Sequence, residues 1–171
     1  MAVVDKYVDP NTQLGKMTTN LVSSGRRPLV LRSVFQITAG DSAGSVYRLF
    51  DELPANTRIK SLSILNDAIT GATDVDFGIY IPTTQGYTGA VVEVDFFDNG
   101  KSLATGHAVG APLVGMTNVA LSDFGHSLDE IMRGTFADPG PPSAYDIALT
   151  LNTAATSTGY VVVTMEILPE A

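Results

Sequence analysis

The side chains best suited to proton transfer or metal binding in this sequence are two histidines, His107 and His126, and a few aspartates that spacing brings close together. Each histidine follows a glycine, and neither is expected to have an acidic or second histidine partner at a ligand spacing such as i, i+4, so loop or surface histidines are the ordinary reading. Asp74 and Asp76 fall on one face of a strand and Asp95 and Asp98 stand beside a turn, which would let carboxylate oxygens converge on a Ca²⁺ ion. The spaced ligands of an EF-hand loop are absent, however, and strand aspartates are ordinarily solvated, so no metal and no cofactor are expected. Cysteine is missing altogether, which removes thiol nucleophiles, thiolate metal sites and disulfides in one step. No Gly-x-Ser-x-Gly elbow and no phosphate-cradling glycine loop are recognised, no catalytic carboxylate pair is singled out, and the chain is expected not to be an enzyme. With no tryptophan, a sugar-stacking platform would have to come from Tyr47, Tyr80, Tyr87, Tyr145 or Tyr160.

The elements that would position these residues read as β-structure. Leu29, Leu31, Phe35 and Ile37 share one face of a run that ends at Ala39-Gly40-Asp41, a first core strand. Ser45 to Phe50 and Arg58 to Asn66 follow as strands around a turn at Leu53-Pro54-Ala55-Asn56. The cleanest alternation is Asp74 to Ile81, with Val75, Phe77, Ile79 and Ile81 on one side and Asp74, Asp76 and Tyr80 on the other, which predicts a half-buried strand. Pro82, Gly86 and Gly89 mark a loop, and Val91 to Phe97 extends a further strand closed by Asp98-Asn99-Gly100. Ser127-Leu128-Asp129-Glu130 is a capping box that starts a helix of about two turns, continued by Ile131 to Arg133 and stopped by Gly134. After the rigid loop Asp138 to Pro142, Tyr145 to Leu151 and Tyr160 to Leu168 are expected to pair as a final hairpin. The whole reads as an all-β, antiparallel β-sandwich, jelly-roll-like, with one short helix.

Ahead of Pro28 the texture differs. Residues 1–27 show neither strand nor helix periodicity and are read as an extended N-terminal arm, with residues 28–171 as the β-sandwich domain. Charge divides along the same line. Up to Lys60 there are eight basic residues against five acidic, a net of +3, while the remainder holds two against thirteen, a net of −11. A basic arm meeting an acidic protein surface fits that asymmetry, and Lys6, Lys16, Arg26, Arg27 and Arg32 are the candidate partner-binding residues. An acidic body would repel phosphate, so nucleic acid is not an expected partner. Nor is a membrane: no stretch approaches the ~18 apolar residues of a span, and Met1 to Lys16 lacks a leader's apolar run. Charged residues make up only 16% of the chain, a surface suited to lying against other protein rather than to free solution. A soluble monomer with threonine-lined strands is the competing reading.

At Asp76-Phe77-Gly78-Ile79-Tyr80, then Val92-Glu93-Val94-Asp95-Phe96-Phe97 and Ser102-Leu103-Ala104, the chain resembles small virion proteins of tailed bacteriophages. Ile131-Met132-Arg133-Gly134, Asp138-Pro139 and Tyr145-Asp146-Ile147-Ala148-Leu149-Thr150-Leu151 extend the resemblance across residues 29–168. It implies a capsid decoration, or cement, protein made in the host cytoplasm and placed on the outer surface of the phage head. The implied partners are the major capsid protein and the chain itself, as a homo-oligomer with a trimer favoured over a dimer. No catalytic residues carry over from that group. The alternative it leaves open is a tail or fibre-associated adaptor, or a receptor- or glycan-binding module of the virion.

Overall fold

The computed structural model describes residues 3, 5–7, 28–83, 88–132 and 142–168. Nine strands and one helix follow in the order β1 (Asp5–Tyr7), β2 (Leu29–Ile37), β3 (Val46–Pro54), β4 (Arg58–Asn66), β5 (Val75–Tyr80), β6 (Val91–Lys101), β7 (Leu113–Val114), α1 (Leu128–Met132), β8 (Ala144–Leu151) and β9 (Gly159–Leu168) among the described residues. The antiparallel pairings are nested. β2 pairs with β9, β3 with β8, β4 with β7 and β5 with β6. This is the pattern of one long hairpin; wrapping it over on itself sets β9 beside β4 and β8 beside β5. Two sheets result, ordered β2-β9-β4-β7 and β1-β3-β8-β5-β6, and the chain is a β-sandwich of jelly-roll connectivity.

Alternation in the sequence decides which face of each strand goes inward. Leu31, Phe35 and Ile37 of β2 and Val161, Val163, Met165 and Ile167 of β9 are buried against Tyr47, Leu49, Ile147 and Leu149 of the facing sheet. The rings of Phe35 and Tyr47 meet across the gap with centroids 5.2 Å apart. Burial of a side chain of this class contributes about 1.5–3 kcal/mol, which makes this interlayer the main source of stability.

The two sheets differ on their outer sides. On β9 buried positions alternate with half-buried ones and with exposed Tyr160, as a sheet with one wet face requires. On β5 every residue is buried, which corrects the expected half-buried strand. Its second face is covered because β6 bulges over it: the register jumps between Phe77↔Asp98 and Ile79↔Glu93. Gly78 permits that approach, since a Cβ there would fall on the carbonyl oxygens of Glu93 and Val94.

Other expectations are corrected as well. Tyr145–Leu151 and Tyr160–Leu168 do not form a hairpin: β8 lies between β3 and β5 in one sheet, β9 between β2 and β4 in the other. Residues 152–158 connect the two sheets across one end of the sandwich, since β8 and β9 are each interior strands of different sheets. Asp98-Asn99-Gly100 stays within β6, with Gly100 at φ 68° inside the irregular strand rather than closing it. β3 runs on to Pro54, whose missing N–H costs nothing at a strand end. Of the capping box, the Ser127 amide donates to Glu130 Oε2 at 2.9 Å, whereas the serine hydroxyl donates to Asp129 at 2.6 Å. The helix stop at Arg133-Gly134, the Asp138–Pro141 stretch and the loop position Gly86 lie outside the described residues. No helix among the described residues is long and apolar enough to cross a membrane.

Candidate interaction surfaces

The predicted partner-binding residues are not gathered into one patch. Arg32 is exposed on the outer side of β2, opposite Thr164 of β9. Lys6 belongs to β1, which joins the edge of β3 as a parallel strand, so part of the segment read as an arm is incorporated in a sheet. Lys16, Arg26 and Arg27, with the rest of residues 8–27, lie outside the described residues.

The residues considered for chemistry are occupied with local structure. His107 Nδ1 lies 2.8 Å from Asn66 Oδ1, and the two backbones bond reciprocally, which fastens the loop after β6 to the end of β4. Exposed His126 stands 3.5 Å from Glu130, an i, i+4 carboxylate partner that the sequence reading passed over. Asn152 Nδ2 donates to Asp74 at 3.0 Å and to Asp76 at 2.7 Å, while the Gly100 amide donates to Asp76 at 2.9 Å. Asp98 pairs with Lys101 at 3.1 Å, and Asp95 accepts from Asn99 at 2.7 Å. No three carboxylate or imidazole groups converge among the described residues.

A further pattern escaped the sequence reading. Gly40-Asp41-Ser42-Ala43-Gly44 matches the Gly-x-Ser-x-Gly spacing of a nucleophile elbow. Its context is the turn from β2 to β3, not a strand leading into a helix, and Ser42 Oγ has no hydrogen-bond partner among the described residues to activate it. Asp41 instead closes the turn, accepting from the Thr38 amide at 3.0 Å and from the buried Tyr47 hydroxyl. Burial is the main reason the Tyr47 phenol is raised, with the neighbouring Asp41 carboxylate adding to it.

Among the described residues, the outer face of the β2-β9-β4-β7 sheet is the open one. Register places Val34, Val162 and Leu65 in one row across three strands, and Arg32, Thr164, Ser63 and Val114 in the next. Along β2 and β9 the outward positions carry only Arg32 and Glu166 as charges. At one end of this face a groove of about 500 Å³ runs between Leu65, Asn66, His107, Val109 and Tyr160. Tyr160 is 56% exposed there, whereas Tyr47, Tyr80 and Tyr145 are buried and Tyr87 lies outside the described residues.

The opposite sheet hides a charged cluster that composition gave no reason to expect. Arg48, on β3, is 1% exposed and reaches Asp146 of β8, itself 0% exposed, with Nη1 2.9 Å from Oδ2. Its guanidinium also donates to the carbonyls of Ile81 at 3.1 Å and Gly89 at 2.7 Å, and its Cζ lies 5.3 Å from the Tyr80 ring centroid. Asp5 of β1 adds to the coordination, accepting from Nε at 3.0 Å and from Nη2 at 3.3 Å. Asp146 Oδ1 accepts the Glu52 amide at 2.8 Å, holding Glu52 at φ 50° in the β3 bulge. Such a left-handed conformation in a non-glycine residue costs about 1–3 kcal/mol and persists where its surroundings fix it. Burial raises the Asp146 carboxyl, while the Glu52 amide and Arg48 pull it back down.

No family model matches the chain, and no curated protein does. Among solved structures it is similar to a chain of the cyanophage Pam1 capsid asymmetric unit, at 11% identity and TM-score 0.51, covering 84% of this chain and 86% of that one. It is similar also to a chain of the capsid of Ralstonia phage GP4, at 14% identity and TM-score 0.52, again over 84% and 86%. A third, from the acid-stable capsid of Helicobacter pylori bacteriophage KHP30, has 15% identity and TM-score 0.39 over 84% and 95%. For the first two, at such identities, the shared property is the fold: this chain has the fold of chains found in two phage capsid structures.

Proposed function

We propose that the protein is a non-enzymatic component of a phage virion, a decoration protein that lies on the outer capsid surface and associates with further copies of itself. One observation carries the reading: the same jelly roll, over more than four-fifths of each chain, recurs in two phage capsid structures. The surface supports it. The outer face of β2 and β9 carries mainly aliphatic, hydroxyl and amide side chains, with Arg32 and Glu166 as its charges, and so resembles the charge-poor centre of a protein interface. The major capsid protein is the proposed partner on the particle, with Arg32 and the basic residues near the N-terminus meeting its acidic surface. Repetition over a lattice suits weak single contacts, because linked copies raise avidity by about 10²–10⁴ without any new contact.

The test is to locate the chain on intact virions by cryo-electron microscopy, alongside a Val162→Glu variant. Density on the outer head surface, lost with the variant while its thermal melt is unchanged, is the expected result. Density confined to the tail or fibres would replace this reading with the adaptor or receptor-binding alternative.

A further inference from the structure

We infer that the β3 edge around Arg48 is a strand-acceptor socket whose occupant in the assembled protein is β1 of a second copy, recognised through Asp5. The inference rests on the self-association proposed above and names the contact that would carry it.

The socket is built by the body of the fold. Asp146 and the Ile81 and Gly89 carbonyls aim the guanidinium before β1 arrives. Gly89 leaves the room: a Cβ there would stand 3.0 Å from Arg48 Nη2. The Nε/Nη2 side is the fork that receives the Asp5 carboxylate in two parallel hydrogen bonds. The backbone supplies the rest of the recognition, since Asp5, Lys6 and Tyr7 lie in parallel register with Val46, Tyr47 and Arg48. An extended segment carrying an aspartate at the Val46 register is therefore the ligand, and this is the strand-addition mode of peptide recognition.

Every copy of the chain carries that segment. Twenty residues, 8–27, separate it from Pro28, and a chain of that length spans up to about 66–72 Å when extended, so connectivity does not oblige β1 to return to its own body. Residues 1–27 hold four basic side chains against two acidic, and residues 28–171 hold six against sixteen, so the arm is attracted to any acidic body near it. Exchange makes the same hydrogen bonds as closure within one chain, which leaves concentration to decide between them. Crowding of copies on a surface favours exchange.

The experiment uses full-length chains and no capsid. Arg48→Met breaks the acceptor and keeps the donor; Asp5→Asn breaks the donor and keeps the acceptor. Native mass spectrometry should show wild type as an oligomer, each variant alone shifted to monomer, and an equimolar mixture restoring a mixed species through its one intact donor and acceptor pair. The concentration for half-association of Asp5→Asn should rise by at least roughly tenfold. A monomeric wild type, or variants that associate as strongly as wild type, would overturn the inference. Should Arg48→Met not fold, a synthetic peptide of residues 1–9 added to wild type decides instead: dissociation by this peptide but not by its Asp5→Asn form is expected, and an oligomer indifferent to both sinks the idea. Because no particle is involved, failure here leaves the virion role standing, and failure to find the chain on virions leaves the socket standing.

Discussion

Arg48 and Asp146 form an ion pair across neighbouring strands β3 and β8, with Nη1 2.9 Å from Oδ2 and neither side chain reachable by solvent. Buried pairs are expensive to assemble and more expensive to break halfway, because the survivor is left charged in a medium that solvates it poorly. Four experiments follow from this and from the close contacts nearby.

Removing the guanidinium alone should strand the Asp146 carboxylate. Arg48→Met is expected to lower unfolding free energy by about 3–5 kcal/mol. The double variant Arg48→Met/Asp146→Asn keeps a carbonyl oxygen for the Glu52 amide and should recover a large part of the loss. Urea melts of wild type, both singles and the double give the coupling directly, and strictly additive losses would contradict a cooperative pair.

Asp146 also gives stability a pH dependence of defined sign. Burial lifts its pKa above the ordinary 3.8, so in the window between 3.8 and the raised value the folded state holds a proton that the unfolded chain has released. That contribution is fully present below 3.8 and is lost as pH rises through the folded value. Denaturant melts at closely spaced pH values should show this falling component. Asp146→Asn should remove it, and a pH profile unchanged by the substitution would refute the assignment.

Gly78 should tolerate no side chain. Gly78→Ala drives a methyl into the β6 backbone, which cannot rotate away, and a loss toward the upper end of the about 1–3 kcal/mol typical of overpacking is expected. Gly110→Ala is the control, since nothing lies within 4 Å of the added carbon. Equal thermal midpoints for the two variants would show that β6 does not press on β5 as described.

Asn152 ties two carboxylates together, donating to both Asp74 and Asp76. Asn152→Asp replaces the shared donor with a third negative charge, and a destabilisation of about 1–3 kcal/mol at neutral pH is expected. Thermal melts at neutral pH should show the deficit shrinking as added salt screens the three charges. A deficit that grows with salt would rule out repulsion as its cause.

Strands and their inward faces were legible along the chain because alternation is local: a residue and its second neighbour share a face whatever the rest of the protein does. β4 and β9 begin and end within a residue of where Arg58–Asn66 and Tyr160–Leu168 predict. Pairing was not legible. β8 and β9 look like a hairpin because they are consecutive, yet each needed two neighbours that lie far away in sequence. The second burial of β5 was hidden for the same reason, since it depends on a bulge in β6 that only the folded sheet creates.

The surface residues divide in the same way. Composition and charge distribution, which are sums over the chain, pointed to a protein-facing surface and a basic N-terminal segment before any fold was known. Arg48 stood in that sum as one more basic residue. Only the meeting of β1, β3, β8 and the Ile81 and Gly89 carbonyls takes it out of water and gives it partners 33 to 98 residues away. Periodicity fixes which side of a strand a residue faces, and the sequence determines that alone. What covers that side is decided by long-range packing, and so the tertiary structure decided where this protein keeps its buried charge and which face it leaves open.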